Sequence, residues 1–280
     1  PGGQSVGVSL RVRNPNGSTG LYSAMLAEAM LGIGTAFLSG ADSAWIADAL
    51  TRVGRGHTLR RVYATASMWG GVISIVAGIG GALLALQGYR FIWVVGLVTA
   101  PIAWWLAHAR MNGMGDALDP LTEREALRAS IRTLRGSTAL RWAIIATITV
   151  GLVTPFNHYW APYFEHHGGQ LGLAGIWVLM YGSVVIASWF ARRLTIPTGG
   201  ESGLMVVALL LAGGGIFAIP LFPGLAVPLA FVMIQEAGRG LFTPLADTFV
   251  QHRVESGYRA TYGSLQSFLG KGGFMLTSFA

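Results

Sequence analysis

The chain has 280 residues, of which 52% are apolar and 11% charged, with a mean hydropathy of +0.55. Soluble domains carry roughly 25% charged residues, so this balance excludes an ordinary water-soluble fold and fits a polytopic helical membrane protein. The absence of cysteine excludes disulfide frameworks, thiolate zinc sites and thiol nucleophiles.

The net charge is +7, and Lys271 is the single lysine among 19 basic residues. The arginines fall in the joins between apolar runs, where orientation signals belong. No aromatic–basic interleaving occurs in a polar segment, so nucleic acid is not an expected partner.

Residues 1–20 are polar and rich in Gly, Ser and Asn. They read as an irregular lead outside the membrane, lacking the long apolar core of a signal peptide. Eight apolar runs follow, near 21–50, 64–86, 89–109, 141–164, 171–191, 203–221, 224–248 and 261–280. Each approaches the roughly 20 residues that a spanning helix needs.

The first run is not uniformly apolar. At 100° per residue, Glu28, Gly32, Thr35, Ser39, Asp42 and Ser43 share one face, and Leu26, Met30, Ile33 and Phe37 share the opposite one. Such a helix packs closely on neighbours and lines something polar.

The joins alternate in charge. The first, third, fifth and seventh hold 14 arginines; the second holds only Arg90, and the fourth and sixth hold none. This places the odd joins, and with them the long central loop, in the cytoplasm of a cell (inner or plasma) membrane. The third join, 111–139, carries Thr122 and Glu125 at capping-box spacing, then Leu127, Ile131 and Leu134 at helical spacing among arginines. It reads as a short amphipathic helix on the inner membrane surface.

Three stretches carry a family resemblance. One is Ser39-Gly40-Ala41-Asp42 with Ala44 and Asp48-Ala49-Leu50; another is Arg259-Ala260-Thr261 with Ser264-Leu265-Gln266-Ser267; the third is Tyr159-Trp160-Ala161-Pro162-Tyr163-Phe164. In this order they resemble the fourth span and its loop, the tenth-to-eleventh span region and the outer end of the seventh span of major facilitator superfamily transporters. The resemblance implies an all-α transmembrane bundle in which the eight runs are the fourth to eleventh of twelve spans.

On that alignment, 21–110 is the remainder of an N-terminal bundle with three spans. Residues 111–139 are the cytoplasmic link, and 140–280 are a C-terminal bundle of five spans, the last cut short. The superfamily's Gly-x-x-x-Asp-Arg-x-Gly-Arg loop has no counterpart here. The antiporter pattern Gly-Pro-x-x-Gly-Gly is reduced to its last two glycines, Gly80 and Gly81.

An ionisable side chain at mid-membrane costs roughly 2.5–3.5 kcal/mol, so each one needs a reason. Asp42 lies about 12 Å from the end of its span, at 1.5 Å per residue. It is a candidate for the substrate and proton pathway, and Glu28 shares its face. Glu236 and Arg239 lie at i, i+3 and are expected to pair, on one face with Gly240, Thr243 and Asp247. Lys271 lies on one face of the last run with Ser264, Ser267 and Ser278, and Asn157 on one face of the fourth with Thr147, Gly151 and Thr154.

These residues — Asp42, Glu236, Arg239, Lys271, Asn157 and Glu28 — are the pathway candidates. Asp48, beside Arg52 at i, i+4, is assigned with Arg52, Asp247 and Arg259 to structure or gating.

No GxSxG, HExxH or Walker pattern occurs. No cofactor or metal is called for, and the chain is not expected to be an enzyme. The expected function is secondary active transport of small solutes by alternating access, with efflux favoured and proton coupling open. The bilayer, a small molecule and protons are its partners, and the transporter is expected to be a monomer. A membrane-embedded enzyme, built on His166 and His167, and a non-functional transporter fragment are the alternatives.

Overall fold

The computed structural model describes residues 40–85, 87–88, 90–111, 121–153, 156–196 and 200–278. Among the described residues there are nine α-helices and no strand. In chain order they are α1 (Ala41–Arg52), α2 (Leu59–Ala85), α3 (Arg90–Met111), α4 (Glu123–Gly136), α5 (Thr138–Val153), α6 (Phe156–Arg193), α7 (Glu201–Ala218), α8 (Ala226–Gln251) and α9 (Arg259–Ser278).

Four segments are long and apolar enough to cross a membrane: Gly56–Leu84, Val94–Met111, Gly172–Arg193 and Glu201–Leu221. A fifth is counted if α4 and α5, bent by 100° at their join, form one span. The remaining runs fall short for separate reasons. Most of the first run lies outside the described residues, and α5 is 16 residues long. Helix α8 carries Glu236, Arg239 and Asp247, and α9 carries Lys271 among glycines and serines.

The exterior is apolar. Leu97, Leu210 and Phe217 are 75%, 69% and 79% exposed, and α3 is exposed over 94–110. Bare Leu and Phe outside, with small and polar residues inside, is the pattern that lipid tails permit. It is compatible with a membrane location.

Helix α6 is not a straight rod. Trp160 and Trp177 are 17 positions apart, about 26 Å along a straight helix, yet their ring centroids lie 5.9 Å apart. The segment therefore turns back between the two tryptophans. Trp160, Phe164, Ile176, Met180, Ile219 and Val232 close an apolar cluster around that turn.

Helix α8 is the axis. Val232, Gln235, Glu236, Gly238, Gly240 and Leu241 are all buried along its middle, and it packs against α2, α6 and α7. Close approach is needed at Gly238, where an added Cβ would lie 2.5 Å from the Ala212 nitrogen of α7. At Gly240 it would lie 2.9 Å from the Val184 backbone of α6.

Pro244 interrupts the helix ladder. Without an N–H it leaves the Gly240 carbonyl without its i+4 donor. The Ser188 hydroxyl of α6 donates to that carbonyl at 3.1 Å, and Ser67 of α2 lies 2.9 Å from Ser188. One proline thus recruits a hydroxyl chain that ties α2, α6 and α8 together.

One sequence expectation is corrected. The first run is not one continuous helix: Gly40 has φ +86° and caps α1. The left-handed turn lets the chain meet Gly263 of α9, whose carbonyl carbon would lie 2.6 Å from a Cβ at position 40. The periodic face drawn through Glu28, Ser39 and Asp42 is therefore broken at Gly40, and Glu28 itself lies outside the described residues.

Helix α4 is amphipathic, but it packs by its small face. Ala126 and Ser130 are buried, and Thr133 hydrogen-bonds Tyr258 at 2.8 Å. Leu127 and Ile131 stay exposed beside Arg124, Arg128 and Arg132. Its start carries the predicted capping box. The Thr122 N–H and hydroxyl donate to Glu125 Oε2 at 3.1 and 2.6 Å, which holds the Glu125 carboxyl below the ordinary glutamate range.

Gly238→Val is expected to destabilise the chain by about 1–3 kcal/mol through overpacking. It should lower the melting temperature in detergent, whereas Gly80→Ala, with open space around it, should not. The capping box also gives a pH dependence. Because the folded Glu125 pKa is depressed, its contribution is present above the unfolded pKa and disappears as pH falls through the folded one. Amide exchange at Glu123–Ala126 should accelerate over that acidic window, and Glu125→Gln should remove the pH dependence.

Candidate functional site

One end of the bundle gathers the arginine-rich joins. The turn Val53–Thr58 meets the turn His252–Tyr258, where His252 Nε2 lies 3.4 Å from the Gly56 carbonyl. Arg60 at the start of α2 donates to the Leu194 carbonyl beyond α6. Helix α4 lies across the same end, on α9 and the Ser256–Tyr258 turn.

Within this end, Asp48 of α1 and Arg259 of α9 form an ion pair. Both side chains are nearly buried, at 5% and 11% exposure. Arg259 also donates through Nε and Nη2 to the Val254 carbonyl, at 3.1 and 2.9 Å. These bonds fix the guanidinium plane and leave Nη1 for the carboxylate, so the buried charges are paired and hydrogen-bonded as their desolvation requires. The sequence places Arg52 beside Asp48; the structure also brings Arg259, 211 positions away, onto Asp48. Arg52 itself is exposed.

Beside this pair lies a cavity of about 410 Å³. It is walled by α1, α2, α8 and α9, with Thr147 contributed by α5. Asp42 enters it from the first turn of α1, where the helix dipole favours a carboxylate and the Ser43 N–H donates to Asp42 Oδ1 at 2.7 Å. Asp247 and Gln251 enter it from one face of α8, four residues apart. Gln251 is 3% exposed; its Nε2 donates to the Ser43 hydroxyl at 3.2 Å, and its Oε1 has no partner among the described residues. Tyr63 of α2 donates its hydroxyl to the Ser43 carbonyl at 2.6 Å.

The sequence candidates divide accordingly. Asp42 and Asp247 share the cavity, and Asp48 with Arg259 closes the bundle end beside it. Glu236 and Arg239 form the expected pair, with Arg239 Nε 2.9 Å from Glu236 Oε2. They do not line the cavity. Glu236 is fully buried, and Arg239 lies with its guanidinium 6.0 Å from the Tyr181 ring centroid. Lys271 is exposed and is not among the lining residues. Asn157 lies on α6, but its side chain, like Glu28, is outside the described residues.

Sequence reasoning missed Tyr63 and Gln251. The signal for Gln251 was present, one helical turn beyond Asp247 on the same face, but the predicted run stops at 248. Tyr63 stands one position before its predicted run.

No protein-family profile, no curated protein and no solved structure matches the chain. The reading of the site therefore stands on its geometry.

Removing one member of the Asp48–Arg259 pair leaves an uncompensated buried charge, a loss of about 3–5 kcal/mol. Asp48→Ala and Arg259→Ala should each lower thermal stability strongly, and the double variant should lose much less than the sum. Strict additivity in that cycle would contradict the pairing.

Proposed function

We propose that the chain is a secondary transporter of the major facilitator type, moving small solutes across a cell membrane by alternating access. The observation that carries the reading is the cavity with Asp42 and Asp247 in its wall, placed between helices of what the resemblance makes two separate halves. Helices α1 and α2 belong to the first half, and α5, α8 and α9 to the second. The ion pair Asp48–Arg259 and the glycine contact Gly40–Gly263 both cross the same boundary.

A site between two rigid bundles, closed on one side by contacts that can break, is the physical requirement of alternating access. On this reading the arginine-rich end is cytoplasmic, and the closed pair is the inner gate. The eight runs are spans, with α8 and α9 carrying charged and polar groups along their length. Export is the direction we favour, and Asp42 and Asp247 are the groups that would carry a coupled proton.

The absence of native cysteine allows a direct test. With Ser67→Cys as a reporter on the cavity wall, breaking the gate by Asp48→Asn should increase labelling by an impermeant maleimide added from the arginine-rich side. Labelling from that side that is unchanged by Asp48→Asn and by Arg259→Gln would overturn the gate, and with it this reading.

A further inference from the structure

We infer that the cavity beside the Asp48–Arg259 pair binds a protonated primary or secondary amine, with Asp42, Asp247 and the Gln251 side-chain carbonyl as its acceptors. As a binding site this stands on the lining alone; that the amine is transported rests on the function proposed above.

The first argument is charge. Two carboxylates line the cavity, and none of its described lining residues is Lys, Arg or His. Like charges facing one small volume repel, and a cation placed between them relieves the repulsion.

The second argument is the direction of the hydrogen bonds. Of the six hydroxyls in the wall, all but that of Ser267 donate elsewhere. Tyr63 donates to the Ser43 carbonyl (2.6 Å), Ser43 to the Gly40 carbonyl (3.3 Å), Thr147 to the Ala143 carbonyl (2.9 Å) and Thr243 to the Arg239 carbonyl (3.1 Å). Ser188 gives its proton to the Gly240 carbonyl, so Ser67 is the donor in the Ser67–Ser188 bond. Gln266 Nε2 donates to Thr147 at 2.9 Å, and Gln251 Nε2 to Ser43.

What the wall retains, beside the Ser267 hydroxyl and one N–H on each glutamine amide, is acceptor capacity. Besides the two carboxylates, Gln251 Oε1 is buried with no partner among the described residues. An unmatched buried acceptor costs free energy until a donor reaches it. The ligand that best matches two carboxylates and an unmatched carbonyl is positive and carries N–H groups, as an ammonium does and an anion or a quaternary ammonium does not. The volume of about 410 Å³ lies within the roughly 300–1,000 Å³ of small-molecule sites, so the amine can carry a substantial organic body.

The test uses the full chain in neutral detergent and dansylcadaverine, a fluorescent primary amine, with its N-acetyl and N-trimethyl derivatives as comparisons. Fluorescence polarisation at neutral pH should show the amine binding at least tenfold tighter than the acetylated probe, with the trimethyl probe between them. Asp42→Asn and Asp247→Asn should each weaken amine binding about tenfold, while Glu255→Gln, exposed outside the cavity, should leave it unchanged. Ser267→Asp, which adds a third carboxylate to the wall, should tighten binding severalfold, a gain that misfolding cannot produce.

Equal affinity for amine and acetylated probe, or no gain with Ser267→Asp, overturns the inference. Amine binding without uptake into vesicles would sink the transport reading and leave this one intact. Transport of the acetylated probe, undiminished by either Asn variant, would do the reverse.

Discussion

The end of the bundle on which everything else converges is held by one buried ion pair. Asp48 and Arg259 come from helices far apart in sequence, and neither can be left alone in a low-dielectric interior. Their pairing sets where α1 meets α9, which in turn demands bare backbone at Gly40 and Gly263. It also brings the two basic turns together at Gly56 and His252, and α4 lies over the Ser256–Tyr258 turn that follows. The cavity is what remains beside the pair once these contacts are made.

The interior combines apolar clusters with small and polar residues at the helix contacts, and the exterior is large and apolar. In lipid there is no hydrophobic drive between helices, so close packing and hydrogen bonds must hold them together. Gly238 and Gly240 let α7 and α6 approach α8, and Pro244 creates the carbonyl that Ser188 and Ser67 satisfy. The same helix presents Thr243, Asp247 and Gln251 to the cavity. Packing and site are therefore two faces of α8, and a shift of this helix against α2 would alter both.

Much of the helical layout was legible because apolar length is a strong signal. The segments at 64–86, 89–109, 171–191 and 203–221 correspond to the four apolar helices. The i, i+3 pairing of Glu236 with Arg239 was legible too, since it depends only on helix geometry.

Long-range features were not. Periodicity assumes an unbroken helix, so it drew one face through Gly40, where the chain turns left-handed to meet Gly263. It marked the apolar Leu127 and Ile131 of α4 and gave no sign that the small face, Ala126 and Ser130, is the one buried against the bundle. Nothing local in the sequence points from Asp48 to Arg259. That contact is made by the packing of α9 on α1.

The central claim is that the two basic turns separate when the Asp48–Arg259 pair is broken. The cysteine-free chain permits spin labels at Arg55→Cys and Glu255→Cys, both exposed on those turns. In lipid vesicles, double electron–electron resonance should give one short distance for the intact pair. With Arg259→Ala, a second population should appear, longer by about a helix diameter, roughly 10 Å. A single short distance in both would mean that the pair is a static structural bond, and the alternating-access account would fail.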